Sequence, residues 1–135
     1  MNIVLTRRTL AILKEKNKIV KSFPLILRKR LPQKISLIEV TEKESQRINL
    51  LYRRKDKPTN VLSFRYSNAY GEILVCPEVI WREAKAEGNP QGYQMTWMIV
   101  HGMIHLAGVH HEKSKTAERT FLQIEKDTLK RIFNS

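Results

Sequence analysis

Residues 92–111 read GYQMTWMIVHGMIHLAGVHH, and this stretch decides how the chain is organised. Met95, Trp97, Met98, Ile99, Val100, Met103, Ile104 and Leu106 put apolar side chains on nearly every side of a helix over about 92–107. A helix that is apolar all round belongs in an interior, so this one is expected at the centre of the fold. Gly108 stands where a left-handed cap would end it. Set into this apolar run are His101 and His105. Four residues apart on a helix, their imidazoles share one face, one turn from each other. Past the glycine, His111 can swing back toward them as a third ring. Three neutral imidazoles with a fourth position left to water form the ligand set of a catalytic zinc site. Another divalent metal would suit the same donors. His110 can be read as a surface neighbour, a group that orients a ligand, or a competing ligand.

The spacing H-x-x-x-H-x-x-G-x-x-H matches the metzincin peptidase arrangement except at one position. Those enzymes place a general-base Glu directly after the first histidine, and this chain has Gly102 there. The expectation is therefore a metzincin-like metal site without the catalytic Glu. Two histidines that were merely core residues would each need a hydrogen-bond partner of their own. Gly102 in a helix interior costs about 1 kcal/mol relative to Ala. That cost points to a close backbone approach, room for a substrate, or tight helix packing.

Working outward, Asn2–Leu5 suits a short first strand, and residues 8–30 form a helical stretch with Leu10, Ile12, Leu13, Ile19, Val20, Phe23 and Ile26. Pro24 breaks or kinks it. KISLIEV (34–40) reads as a strand. Thr41 and Glu44 form a capping box at the start of a helix over 42–54, with Ile48, Leu51 and Tyr52 as its buried stripe. VLSFRYS (61–67) and EILVC (72–76) read as strands joined through Asn68–Gly71. Pro77 opens a helix to about Glu87, and a last helix spans about 114–133 with Phe121, Leu122, Ile124, Leu129 and Ile132 inward. Trp81 and Trp97 are read as core. The order gives an α+β layer fold: a small mixed sheet of about four strands packed with about five helices, in a single domain over 1–135.

The chain has 135 residues, 25 Lys plus Arg against 13 Asp plus Glu, and a formal charge of +12. Residues 1–60 carry 16 basic and 5 acidic side chains, so nearly all the excess lies there. A field of that sign attracts polyanions, and phosphate contacts would make the binding salt-sensitive. Nucleic acid or ribosome association is the expected consequence. No run approaches the length of a membrane helix, and the first residues lack the apolar core of a secretory signal, so no membrane partner is expected. Cys76 is the only cysteine. It excludes an intrachain disulfide and a multi-cysteine zinc ribbon, and it fits a reducing, cytoplasmic setting.

HGMIHLAGVHH resembles the HGxLHLxGYDH motif of the YbeY family of bacterial endoribonucleases. Ile48-Asn-Leu-Leu-Tyr-Arg53 and Pro58-Thr-Asn-Val-Leu-Ser-Phe64 resemble that family's LNxxYR and PTDVLSF, and Gly71-Glu-Ile73 its GDI. The resemblance covers roughly residues 35–133. It departs at three acidic positions: His110, Asn60 and Glu72 each stand where the family has Asp. The resemblance implies zinc held by His101, His105 and His111, with Arg53 as the arginine of the YR block. It also implies action on single-stranded RNA, a role in maturing the 3′ end of small-subunit ribosomal RNA and in ribosome quality control, and association with small-subunit components.

On this reading the reaction is phosphodiester hydrolysis, with Arg53 holding a non-bridging oxygen and stabilising charge as it develops at phosphorus. Arg54, Lys55, Lys57 and Arg65 could line an RNA path. No general base stands out, although Glu112 lies next to the site in sequence, and attack by the RNA 2′-hydroxyl is an open route. Two other functions fit part of the pattern. One is a ribosome assembly factor that binds RNA around a mainly structural metal without cutting. The other is a metallopeptidase, which Gly102 argues against.

Overall fold

The computed structural model describes residues 2–6, 16–110 and 114–134. The described elements are strands β1 (Asn2–Thr6), β2 (Lys34–Glu39), β3 (Val61–Arg65) and β4 (Tyr70–Val75) and helices α1 (Lys16–Ser22), α2 (Leu25–Arg28), α3 (Glu42–Arg53), α4 (Pro77–Glu87), α5 (Gln91–Leu106) and α6 (Lys115–Phe133), with β3 and β4 consecutive and three helices after β4. Three strands, β2, β4 and β3, carry the described core side chains, and the backbone of β1 adds to one edge in the order β1-β2-β4-β3. β1 and β4 run parallel to β2, while β3 runs antiparallel to β4, so the sheet is mixed and β3 is an edge strand.

Alternation along the strands sends neighbouring residues to opposite faces. Ile35, Leu37, Val61, Ile73 and Val75 join the main core against Met98, Ile99 and Met103 of α5, Phe121 and Ile132 of α6, and Ile19 of α1. Leu62 and Leu74 point the other way, into a smaller cluster with Val40, Cys76 and Val79 that Ile48 of α3 helps to cover. Cys76 is fully buried there, and burial pushes its thiol upward from the ordinary range. The apolar helix of the sequence is α5, and it packs against β3, β4, α4 and α6. Gly108 adopts φ 87° just beyond its end.

Several expectations need correction. Within the described part of the helical stretch over 8–30, Pro24 (ψ 132°) breaks the helix as expected, and the two pieces are only 7 and 4 residues long. The first residues of that stretch, with Leu10, Ile12 and Leu13, lie outside the described residues. Counting both pieces, the described residues hold six helices where about five were expected. The strand over 61–67 ends at Arg65, where the amides of Tyr66 and Ser67 both donate to the Tyr70 carbonyl and close the hairpin. Leu122 and Trp81 are exposed rather than core.

The inward face of α3 is the most instructive miss. Leu51 and Tyr52 are each 65% exposed, while Ser45 and Asn49 are buried. The capping box forms as read, with Thr41 Oγ1 accepting from the Glu44 amide at 3.2 Å. Beyond it, the helix clamps the loop that follows. Ser45 Oγ donates to the Thr59 carbonyl at 2.8 Å and accepts from the Thr59 amide at 2.9 Å. Asn49 Nδ2 donates to the Lys57 carbonyl at 2.9 Å. Polar side chains are buried here because the partner is backbone, whose groups must be paired.

Candidate functional site

A cleft of about 540 Å³ opens along the edge strand β3. α5 supplies His101 and His105 to one wall, β3 supplies Val61 to Arg65, and the end of α3 supplies Tyr52 and Arg53. His110, two residues past the Gly108 turn, also lines it. The fold therefore brings His101, His105 and Arg53 to one cavity from helices far apart in sequence. His111 and Glu112 lie outside the described residues. Among the described residues, no group of three metal-donor side chains is assembled.

His101 and His105 are both half-buried, with ring centroids 4.9 Å apart. Each ring also packs against Phe121 of α6, at 4.8 and 4.9 Å, which limits how far the imidazoles can swing. His101 Nδ1 lies 2.8 Å from Glu125 Oε2. Glu125 is only 5% exposed, and it is a site residue that the sequence reading missed. In a neutral imidazole whose Nδ1–H faces that carboxylate, the lone pair sits on Nε2. Carboxylate–imidazole pairs of this kind orient metal-binding histidines. His105 Nδ1 lies 3.2 Å from His110 Nδ1, so His110 supplies the corresponding contact to the second ring. Half-buried rings one turn apart, each engaged through Nδ1, fit the donor chemistry of a divalent metal held through Nε2.

Gly102 is a packing glycine. A Cβ at this position would lie 2.8 Å from Ser63 Oγ and 3.0 Å from Ile73 Cγ2. Ser63 Oγ donates to the Gly102 carbonyl at 3.2 Å, so α5 rests directly on the sheet. A glutamate at 102 would collide with β3 and β4, which removes the geometric basis for a peptidase-type base there.

The cations divide into two groups. Arg65 is a structural tie: Nη1 donates to the carbonyls of Arg30 and Leu106 at 2.7 Å, and Nη2 to Asn68 Oδ1 at 3.0 Å. Arg53, Arg54, Lys55 and Lys57 are all exposed, and among the described residues none of them is in an ion pair. Arg54 holds a left-handed conformation (φ 58°) that caps α3 and turns the chain into this basic loop. Asn60 donates to Glu83 Oε1 at 2.9 Å, a contact that an aspartate could make only by facing one carboxylate with another.

Fold and cleft together define a class: small α+β proteins that carry paired imidazoles on a central helix at the open edge of a mixed sheet. The particular family follows from comparison with known proteins. The family model described as Endoribonuclease YbeY matches residues 4–132, and the chain belongs to that family. A protein of Halorhodospira halophila (strain DSM 244 / SL1) named Endoribonuclease YbeY is 41% identical over 90 residues, which cover 59% of this chain. The match spans 58% of that relative's length. The solution structure of TM1509 from Thermotoga maritima is similar with a TM-score of 0.67 and 26% identity, over 99% of this chain and 90% of that one. No helix among the described residues is long and apolar enough to cross a membrane.

Proposed function

We propose that this chain is a metal-dependent endoribonuclease that cuts single-stranded RNA in ribosomal RNA maturation. The observation that carries the proposal is the convergence of His101, His105 and Arg53 on one cleft, beside a run of exposed cations that form no ion pair among the described residues. His101, His105 and His111 would hold one zinc ion or a similar divalent cation. Bound there, it would supply Lewis-acid polarisation of a phosphoryl oxygen and a more acidic water.

The chain's own residues do the rest. Arg53 sits on the last turn of α3 and lines the cleft, while Ser45 and Asn49 of the same helix clamp the loop that follows. Its planar fork can grip two phosphate oxygens and stabilise charge that grows during attack. Glu125 at His101 Nδ1 and His110 at His105 Nδ1 orient the two rings. Phe121 excludes water behind them. The basic loop holds the polyanion through salt-sensitive phosphate contacts.

The site in ribosomal RNA would be the 3′ end of the small-subunit species, with small-subunit components as partners, a part in ribosome quality control, and a cytoplasmic location. This rests on membership of the family together with the charge of the first 60 residues. The test is cleavage of end-labelled single-stranded RNA by zinc-loaded protein. Arg53→Ala should lower kcat about 100-fold or more, and His101→Ala should abolish turnover. Equal activity in wild type and both variants would assign the cutting to a contaminant. A 2′,3′-cyclic phosphate product would show attack by the RNA 2′-hydroxyl, and a free 5′-phosphate would show attack by water.

A further inference from the structure

The outer face of the sheet carries a feature that the cleavage chemistry does not use. Tyr52, Phe64, Tyr66 and Tyr70 form a continuous ladder of rings. Tyr52 and Phe64 meet edge-on at 5.1 Å, Phe64 and Tyr66 stack at 6.5 Å, and Tyr66 and Tyr70 stack at 5.8 Å, only 17° from parallel. Tyr52 and Phe64 line the cleft, so the ladder starts inside it and runs outward across the hairpin. Aromatic side chains of this size are ordinarily buried. Here Tyr52 is 65% and Tyr66 62% exposed.

The ladder is built to hold its shape. Tyr66 Oη donates to Glu72 Oε1 at 2.7 Å and Tyr70 Oη to Glu72 Oε2 at 3.0 Å, while Ser36 Oγ lies 3.0 Å from Tyr70 Oη. One carboxylate therefore pins two rings through both of its oxygens. The surroundings are cationic: Arg53, Arg54, Lys55 and Lys57 follow Tyr52 directly, and exposed Lys34 is in register with Tyr70 on β2. Two exposed and two half-buried rings, beside exposed cations that form no ion pair among the described residues, make the kind of surface that single-stranded nucleic acids use, with bases on the rings and phosphates on the charges.

We propose that Tyr52, Phe64, Tyr66 and Tyr70 form a base-stacking platform that receives unpaired bases of single-stranded RNA on one side of the cleft. The proposal deepens the endoribonuclease reading and rests on it for the identity of the ligand. Glu72 is then a positioning residue for the platform, the longer acid where the family resemblance has Asp. Stacking on a ring tolerates any base, so the platform adds affinity and single-strand preference without reading sequence.

The test is stopped-flow anisotropy with the zinc-loaded full chain, read before turnover. The probes are a labelled ten-nucleotide single-stranded RNA and a matched strand with abasic sugars at its centre. Wild type should prefer the base-bearing strand by about fivefold or more, the range expected for one stacked base. Tyr66→Ala should lose that preference and bind both strands alike. Tyr66→Phe, which keeps the ring but loses the bond to Glu72, should keep a preference for the base-bearing strand that is weaker than wild type's and clearly above that of Tyr66→Ala. Equal affinity of wild type for the two strands would overturn the platform. So would a Tyr66→Ala loss of equal size on both strands, which would assign the rings to phosphate or protein contacts. Either result, with RNA cleavage by wild type intact, leaves the nuclease reading standing. Wild type that neither binds nor cuts the base-bearing strand would overturn both.

Discussion

Replacing Glu125 with Ala tests how the histidine pair is held. The carboxylate is 5% exposed and lies 2.8 Å from His101 Nδ1, whereas the His101 side chain is 26% exposed. Removing one partner of a fully buried charged hydrogen bond costs several kcal/mol, but water can reach this imidazole, so the lower end applies: about 1–2 kcal/mol. For a chain of 135 residues that corresponds to a fall in Tm of about 4–8 °C. Loss of an orienting partner also lowers metal affinity about 10–100-fold, because Nδ1–H is no longer fixed and Nε2 no longer reserved for the cation. Two assays separate these effects. Calorimetry of metal-free protein reads the first, and competition with a chromophoric chelator reads zinc affinity. Glu125→Gln keeps an acceptor of the same length and should lie between wild type and Ala in both. Unchanged Tm and unchanged zinc affinity in Glu125→Ala would refute the assignment. A fall in Tm alone would make Glu125 a folding residue with no part in orienting His101.

Three further outcomes follow from the packing. Gly102→Ala gains about 1 kcal/mol of helix propensity but drives a methyl to 2.8 Å from Ser63 Oγ. Chemical denaturation should show a net loss of about 1–2 kcal/mol, partly restored by adding Ser63→Ala, and simple additivity of the two would contradict the contact. Asn49→Ala removes the bond to the Lys57 carbonyl, yet Asn49 Oδ1 is itself buried without a partner, so the loss should be near 1 kcal/mol. Faster hydrogen exchange at Lys57–Asn60 should accompany it, and unaltered exchange would mean that the loop is held otherwise. Hydrogen bonding to Glu72, first, and burial, second, push the Tyr66 phenol up to about 12. Because the folded value is the higher one, the Tyr66–Glu72 contact stabilises the fold fully below pH 10, and that stabilisation fades as pH rises from 10 to about 12. Spectrophotometric titration should show a late-titrating phenol that Glu72→Gln brings back toward 10, and a wild type without one would contradict it.

Much of the fold was legible because its signals are local. The capping box at Thr41, the proline at the start of α4, the apolar girth of α5 and the left-handed Gly108 each act within a few residues, and each appears where the sequence places it. The inward face of α3 was not legible. Periodicity assigns apolar residues to the interior, but this helix is seated on backbone, so Ser45 and Asn49 turn in and Leu51 and Tyr52 turn out. The site divides the same way. His101 and His105 show themselves by their spacing within one helix. Glu125 comes from a different helix 24 residues on, and as one of three acids on an amphipathic helix it carries no mark of burial. Its one trace is position: it follows Phe121 by one turn, on the face that packs against the histidines. Arg65 shows the opposite case, an isolated cation read as part of an RNA path whose role is fixed by carbonyls distant in sequence.

The most direct test of the account is a count of zinc bound per chain after dialysis against a weak chelator at neutral pH. Wild type should retain one equivalent, His101→Ala, His105→Ala and His111→Ala should each retain close to none, and His110→Ala should keep the ion with lower affinity. Full retention of zinc by any of the first three variants, or a wild-type chain that takes up none, would contradict a cation held by those three imidazoles.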